Sequence, residues 1–337
     1  MHLILCLTYA SQIGESLPAE AKRWLQYLCP TLVSELAQDT MKGTHHPCAG
    51  NASVWESPEL HETFAIMNPF GSGWHLDRAV FDECLRNQVR TICSRQETQR
   101  SRLLKGRFAG VRKEGKGWAI SFNESESSIP RELRCRWLVD ASGRKASVGQ
   151  KVRQNLRLAI CDLKKTVKIG GKTIKLDGLL AFYALMGTTN VDRDHRTLIE
   201  ATENGWWYSS QLSDGKRVVV FHTDDQDPSS KRARKPEGFR DMLQETVHIS
   251  QTIEDVDYRV ISGAGYPRCI AAGSSYLEPF GDEGDQWCAV GDAAVAFDPL
   301  SSQGMITALR MGDSLGIVLA EKLEYSDTSE RPGGGNR

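Results

Sequence analysis

The sequence predicts an α/β protein with an antiparallel β-sheet inserted between its two ends. Two observations predict it. At the start, the apolar run "MHLILCLTYA" is followed by "SQIGESLPAEAKRWLQYL", a strand and then a helix; near the finish, "WCAV" leads through Gly291-Asp292 into a second helix. Between them lie the β-branched and aromatic runs "KTVKIGGKTIKL", "LLAFYALMG", "RTLIEAT", "WWYSSQL" and "RVVVFHTD", parted by Gly-Gly, Asn-Gly and Asp-Gly turns. Such punctuation belongs to antiparallel strands. No internal repeat competes with this reading.

Each element follows from local chemistry. Gly14 makes the turn after the opening strand, Ser16 is a candidate cap, Pro18 suits a first helical turn, and Trp24, Leu25 and Leu28 then share one face. Residues 31–70 read as irregular. In "NPFGSGWHLDRAVFDECLRNQV", a Gly-rich turn opens an amphipathic helix capped by Asp77, with Leu76, Val80, Cys84 and Leu85 near helical spacing. Residues 107–112 and 117–122 form a hairpin around "KEGKG", and "RCRWLVDASGR" is a strand ending in a Gly turn. One helix is expected over about 237–250. The run "KRARK" (Lys231–Lys235), between "DDQDPSS" and "PEG", reads as a solvated loop.

Composition narrows the function classes. The chain has 337 residues, 40% hydrophobic and 25% charged, with a net charge of −1. That length predicts one large or two interleaved domains. The balanced charge gives no reason to expect nucleic acid or a membrane as partner. Nine cysteines without a C-x-x-C pair argue against a disulfide framework and for a reducing, cytoplasmic setting. The opening run lacks a basic flank and falls short of the roughly 20 residues a membrane span needs, so it reads as a buried strand. The tail, residues 324–337, is expected to be disordered.

The stretch "GDAAVAFDPLSSQG" (Gly291–Gly304) carries the strongest chemical signal. Small residues after a strand let backbone approach a ligand closely, and a carboxylate at Asp292 accepts hydrogen bonds from ligand hydroxyls. The free N–H groups of a helix opening at 303–305 stabilise partial negative charge. A crossover whose glycines serve only turning remains the alternative. Elsewhere, "HHPC" (His45–Cys48) has no second ligand pair at a metal-binding spacing and reads as a polar loop. His222, alternating within "VVVF", reads as a sheet residue rather than a base. Trp206 and Trp207 either line an aromatic pocket or pack in the core.

"GDAAVAFDPLSSQGMITALRMG" resembles the second flavin-contacting motif of FAD-dependent monooxygenases of the para-hydroxybenzoate hydroxylase type, whose fold the tryptophan-halogenase relatives share. "IGESLP", "NPFGSGWHLDRAVFD", "WLVDASGR" and "RTLIEATENGWWYSSQLSDGKRVVVFHTD" resemble further segments of that group in family order, closest to the monooxygenases of quinohemoprotein amine dehydrogenase maturation. The resemblance implies a glutathione-reductase-type FAD-binding fold. Its FAD-binding domain would comprise residues 1–30, 68–155 and 262–323, and its substrate domain residues 31–67 and 156–261. It implies that Asp292 meets the ribityl or ribose–phosphate region with Gly291 also binding the cofactor, and that Gly304 and Met305 present N–H groups to the flavin pyrimidine edge. Pro299 and Ser302 would stand at the reacting ring as the catalytic positions. Arg78 would lie near the phosphates or ribityl chain, or be only a surface helix residue. Asp140 and Gly143 would lie on the dinucleotide side, or Asp140 would serve turn capping alone.

The resemblance further implies hydroxylation of an aromatic or peptide-borne substrate with reduced flavin and O₂. The electrons would come from NAD(P)H directly or through a separate flavin reductase. Flavin-dependent halogenation is the alternative activity, with Lys42 in "DTMKG" as the candidate lysine; the family's Trp-x-Trp-x-Ile-Pro element is replaced by "GWWYSSQL". One departure bears on all of this. No Gly-x-Gly-x-x-Gly occurs, and Cys6, Leu7 and Thr8 stand where the family's acidic ribose anchor is expected. The fold is therefore expected to be N-terminally incomplete, with weakened FAD binding and an unpaired sheet edge. An inactive relative is the corresponding non-enzymatic reading.

Overall fold

The computed structural model describes residues 2–6, 14–95, 101–124, 130–152, 171–261 and 265–329, with residues 2–6 and a few flanking positions given by backbone alone. In chain order come β1 (His2–Cys6), β2 (Ser16–Leu17), α1 (Ala21–Leu28), α2 (Pro30–Met41), β3 (His46–Cys48), β4 (Gly50–Val54), β5 (His61–Phe64), β6 (Gly73–His75), α3 (Arg78–Arg95), β7 (Ser101–Glu114), β8 (Gly117–Glu124), β9 (Pro130–Cys135) and β10 (Leu138–Asp140). There follow β11 (Lys172–Lys175), β12 (Leu179–Gly187), β13 (Thr197–Thr202), β14 (Gly205–Leu212), β15 (Lys216–Asp224), α4 (Pro228–Ala233), α5 (Pro236–Leu243), α6 (His248–Asp255), β16 (Arg259–Val260), β17 (Arg268–Ala271), β18 (Ser275–Glu278), β19 (Gly281–Asp282), β20 (Trp287–Ala289), β21 (Val295–Ala296) and α7 (Gly304–Ser329).

The inserted sheet is the largest. Its strands run β16-β12-β15-β14-β13-β4-β5, with β17 also paired to β12, and all pairs are antiparallel except β13 with β4. The predicted Asn-Gly and Asp-Gly turns join β13 to β14 and β14 to β15. Period-two alternation sorts the side chains onto two faces. Phe182, Trp207 and Phe221 meet Phe239, Met242 and Ile249 of the helical layer on one face. Ala181, Tyr183, Val218 and Val220 pack with Ala272 on the other.

The remaining strands form smaller sheets. Parallel β1 and β7 extend through the β7-β8-β9 meander, and parallel β10 and β20 continue to β19. Among the described residues β1 pairs only with β7. A third core gathers Leu17, Leu25, Leu32, Leu36, Phe81 and Ile306 between α1, α2, α3 and α7.

Several expectations are corrected. Residues 31–70 are regular over much of their length, because Leu32 and Leu36 recur at a helical spacing and are fully buried in α2. Helix α1 begins at Ala21, and Ser16 does not cap it: it lies in β2, and its hydroxyl bonds to Tyr208 Oη at 2.7 Å. "HHPC" contributes a strand, not a loop. The helix expected over 237–250 is two, α5 and α6, parted at Gln244–Val247, where the Glu200 carboxylate accepts from the N–H groups of Val247, His248 and Ile249. Lys231–Ala233 belong to α4, which Asp227 caps and which buries Ala233 completely. Residues 324–329 of the expected tail are helical, and 330–337 lie outside the described residues. The burial of the opening strand's side chains lies outside them as well.

Candidate functional site

Strands β10 and β20 run side by side, and each ends in a turn on the same side of the sheet. Val290 N–H donates to the Asp140 carbonyl at 2.9 Å, locking the two turns in register. Gly291 has φ +59°, and a Cβ there would stand 3.3 Å from Ala308 Cβ, so α7 closes tightly on the turn. Beyond the turn, Asp298 Oδ1 caps Leu300 N–H at 2.8 Å, and Ser302 takes the left-handed conformation at φ +51°. Helix α7 then opens at Gly304, with its first N–H groups lacking intrahelical partners.

Two carboxylates stand near these turns, and their surroundings divide their roles. Asp140 is fully buried. Its oxygens accept from the N–H groups of Ser142 (2.9 Å), Val148 (3.0 Å) and Gly149 (2.7 Å). Among the described residues Asp292 accepts no backbone hydrogen bond, and it is only partly buried, 3.5 Å from Arg144 Nε. A Cβ on Gly304 would lie 3.8 Å from Asp292 Oδ1, so carboxylate and helix start face one another. Burial raises the Asp292 pKa above the ordinary value, while the positive charges of Arg144 and Arg78 work to lower it.

Arg144 is the residue the sequence reading quoted but did not single out. Its Nη1 donates to the carbonyls of Ala272 (2.9 Å) and Gly273 (2.6 Å), and its Nη2 to that of Phe297 (2.6 Å). Gly143, at φ +71°, makes the turn that precedes it. One guanidinium thus joins the large sheet, the loop leading to Pro299, and Asp292.

Arg78 is not a freely solvated helix residue. It follows the Asp77 cap, whose Oδ1 accepts from Ala79 (3.0 Å) and Val80 (3.2 Å), and donates to the Gly14 carbonyl at 2.9 Å and to Asp82 at 3.3 Å. Its charge also reaches Glu15, a buried carboxyl whose pKa burial raises. Glu15 too was missed; a lone Glu in "IGESLP" gives no sign of burial.

The structure therefore gathers Gly291, Asp292, Gly304, Arg144 and, through its charge, Arg78. Met305 packs partly buried against the third core. Pro299 and Ser302 are exposed on the loop between β21 and α7. Asp140 braces the neighbouring turn from within.

On the large sheet, the two tryptophans part company. Trp207 packs on Phe221 and Phe239 in the helical-layer core, whereas Trp206 stacks on His222 at 3.7 Å. Burial holds His222 neutral, with its pKa lowered to about 3, which removes it as a base near neutrality. A chain of hydroxyls crosses from this sheet to the small one: Ser210 Oγ, Tyr208 Oη, Ser16 Oγ, Thr197 Oγ1 and His75 Nε2 are linked at 2.9, 2.7, 3.4 and 2.9 Å. Lys42 is exposed at the end of α2, 3.2 Å from Asp39. Among the described residues no group of three or more His, Cys, Asp or Glu is placed to hold a metal, and no helix is long and apolar enough to cross a membrane.

A carboxylate with free acceptor capacity, a tight glycine turn and a helix opening are what a ligand bearing hydroxyls and a partly anionic edge requires. The chain is 26% identical over 295 residues to LodB of Marinomonas mediterranea, assigned as an FAD-dependent oxidoreductase, covering 88% of this chain and 70% of that protein. It is 24% identical over 307 residues to the flavin-dependent halogenase armH5 of Armillaria mellea, covering 88% and 55%. Among solved structures, the myxobacterial chondrochloren halogenase CndH superposes with a TM-score of 0.68 at 20% identity, over 91% of this chain and 66% of that one. The peptidyl tryptophan dihydroxylase QhpG does so with 0.61 at 16%, over 91% and 58%. The fold is one that the chain shares with these solved structures. No protein-family model matches the chain. It spans little more than half to about two thirds of these relatives' lengths.

Proposed function

We propose that the chain is the FAD-binding and substrate-facing part of an oxidoreductase, a monooxygenase that hydroxylates an aromatic or peptide-borne substrate. The observation that carries this reading is the contrast between Asp140, saturated by backbone donors, and Asp292, whose carboxylate is left open opposite the Gly304 helix start. FAD fits these residues. Asp292 would accept from ribityl hydroxyls, Gly304 and Met305 would donate to the pyrimidine edge, and Arg78 and Arg144 would supply positive charge. Reduced by NAD(P)H or a separate reductase, the flavin would supply the means of activating O₂.

This chain's own groups would bind, orient and keep dry. The Asp298 cap and the left-handed Ser302 fix the loop that presents Pro299. Arg144 ties that loop to the sheet whose strand β14 carries Trp206 and Tyr208. The near-neutral protein and a cytoplasmic setting are compatible with this reading. Purification followed by a visible spectrum with added FAD tests it: a flavin band retained on the protein supports it, and none retained at micromolar FAD overturns it for this chain.

A halogenase is the second reading, favoured by the similarity to armH5 and CndH. Halogenation by a lysine would need that group enclosed, and Lys42 is exposed and paired with Asp39. Chlorinated product from the reconstituted protein, lost in Lys42→Ala, would reverse the order.

A further inference from the structure

Strand β5 closes the large sheet, and among the described residues it pairs only with β4. All four of its residues are exposed. The Ala65 N–H bonds to the Ala49 carbonyl at 2.8 Å, and Thr63 stands opposite Asn51. By the alternation of an antiparallel ladder, this turns the N–H and C=O groups of Glu62 and Phe64 outward. Around that edge lie Trp55, Phe64, Ile66 and Met67, exposed by 50, 49, 90 and 83%. Natural sheets blunt such edges with lysine, proline or a covering element. Here residues 43–77 contain neither lysine nor arginine and four acids, Glu56, Glu59, Glu62 and Asp77. Glu62 is paired with Arg196, while Glu56 and Glu59, on the loop between β4 and β5, make no ion pair among the described residues.

We propose that the outer edge of β5 is a docking surface for an extended segment of a second polypeptide, added as one more strand and carrying basic residues among apolar ones. The unpaired backbone row selects an extended chain, the exposed apolar side chains supply burial, and the acidic loop selects positive charge. The inference rests on this edge alone and does not require flavin.

The test uses the protein without added FAD and a fluorescein-labelled decapeptide alternating valine and lysine, read by fluorescence anisotropy. Binding is expected, weakened about tenfold or more by Phe64→Pro, which removes an outward N–H without touching the β4 ladder, and by Ile66→Ser, which removes apolar surface without adding charge. The same peptide N-methylated on alternate residues, or with glutamate replacing lysine, should bind about tenfold less tightly. Should Phe64→Pro fail to fold, the N-methylated peptide still decides whether backbone pairing is used. Equal binding of the glutamate and lysine peptides, indifference to N-methylation and Ile66→Ser, or no binding overturns the proposal. So does a wild-type dimer that Ile66→Ser dissociates, which would make a second copy of the chain the occupant.

Discussion

The Arg144 guanidinium stands 3.5 Å from the Asp292 carboxylate while its other nitrogens hold three backbone carbonyls, of Ala272, Gly273 and Phe297. The ion pair is long and the carbonyl bonds are short. Arg144 is therefore positioned by the backbone, and Asp292 is left with acceptor capacity to spare.

Asp292→Ala should weaken FAD binding about tenfold to a hundredfold, the loss of one or two hydrogen bonds to a charged group. Titration of FAD fluorescence against the variant checks this. Its thermal unfolding should stay close to wild type, because no backbone donor is orphaned by the change.

Asp140→Ala should behave in the opposite way. Three backbone N–H groups, that of Gly149 buried and those of Ser142 and Val148 partly so, lose their acceptor, so stability should fall by about 2–4 kcal/mol in denaturant titrations. Asp140→Asn should recover part of that loss. Were Asp140→Ala to unfold like wild type, its role as a brace would be wrong.

The Arg217 pair makes a third prediction. Arg217 is fully buried, with Nη2 2.6 Å from Asp192 Oδ2, which also accepts from Tyr258 Oη at 2.7 Å. Asp192→Ala should cost about 3–5 kcal/mol by leaving a buried cation unpaired. The double variant Asp192→Leu with Arg217→Met should cost less than the single one. Equal losses would mean the pair is not coupled.

Acid should destabilise the fold through its histidines. His75 and His222 are buried and held neutral, each with its pKa lowered from 6.5 to about 3, chiefly by burial. Their contribution to stability is full above 6.5 and is lost as pH falls from there toward 3, because the unfolded chain takes up protons that the folded one refuses. Each adds a slope of about 1.4 kcal/mol per pH unit in that window. His222→Phe, which keeps a ring against Trp206, should flatten the dependence of unfolding free energy on pH. An unchanged slope would remove His222 from the account.

The sequence made the large sheet legible because its β-branched runs and Gly turns are local signals, and the residues 291–304 turn because Gly, Asp and a helix start are adjacent in the chain. It concealed α2, whose apolar positions are diluted by Ser, Glu, Gln and Asp on the solvent side. It also concealed Arg144 and Glu15, since burial and partners supplied by segments more than 100 residues away for Arg144, and by burial beside Arg78 for Glu15, leave no local pattern. Asp140 and Asp292 look alike in sequence, each following an apolar strand. Only the direction of the next few N–H groups tells them apart.

The parallel pairing of β4 with β13 has a consequence for synthesis. Strand β4 leaves the ribosome well before Thr197–Thr202 exist to receive it. At 5–20 residues per second the wait is on the order of 10–30 s. Throughout it the hairpin of β4 and β5 has two open edges. The nascent chain is thus most vulnerable to wrong pairing early, and a chaperone that acts during translation should raise its soluble yield more than one supplied after release.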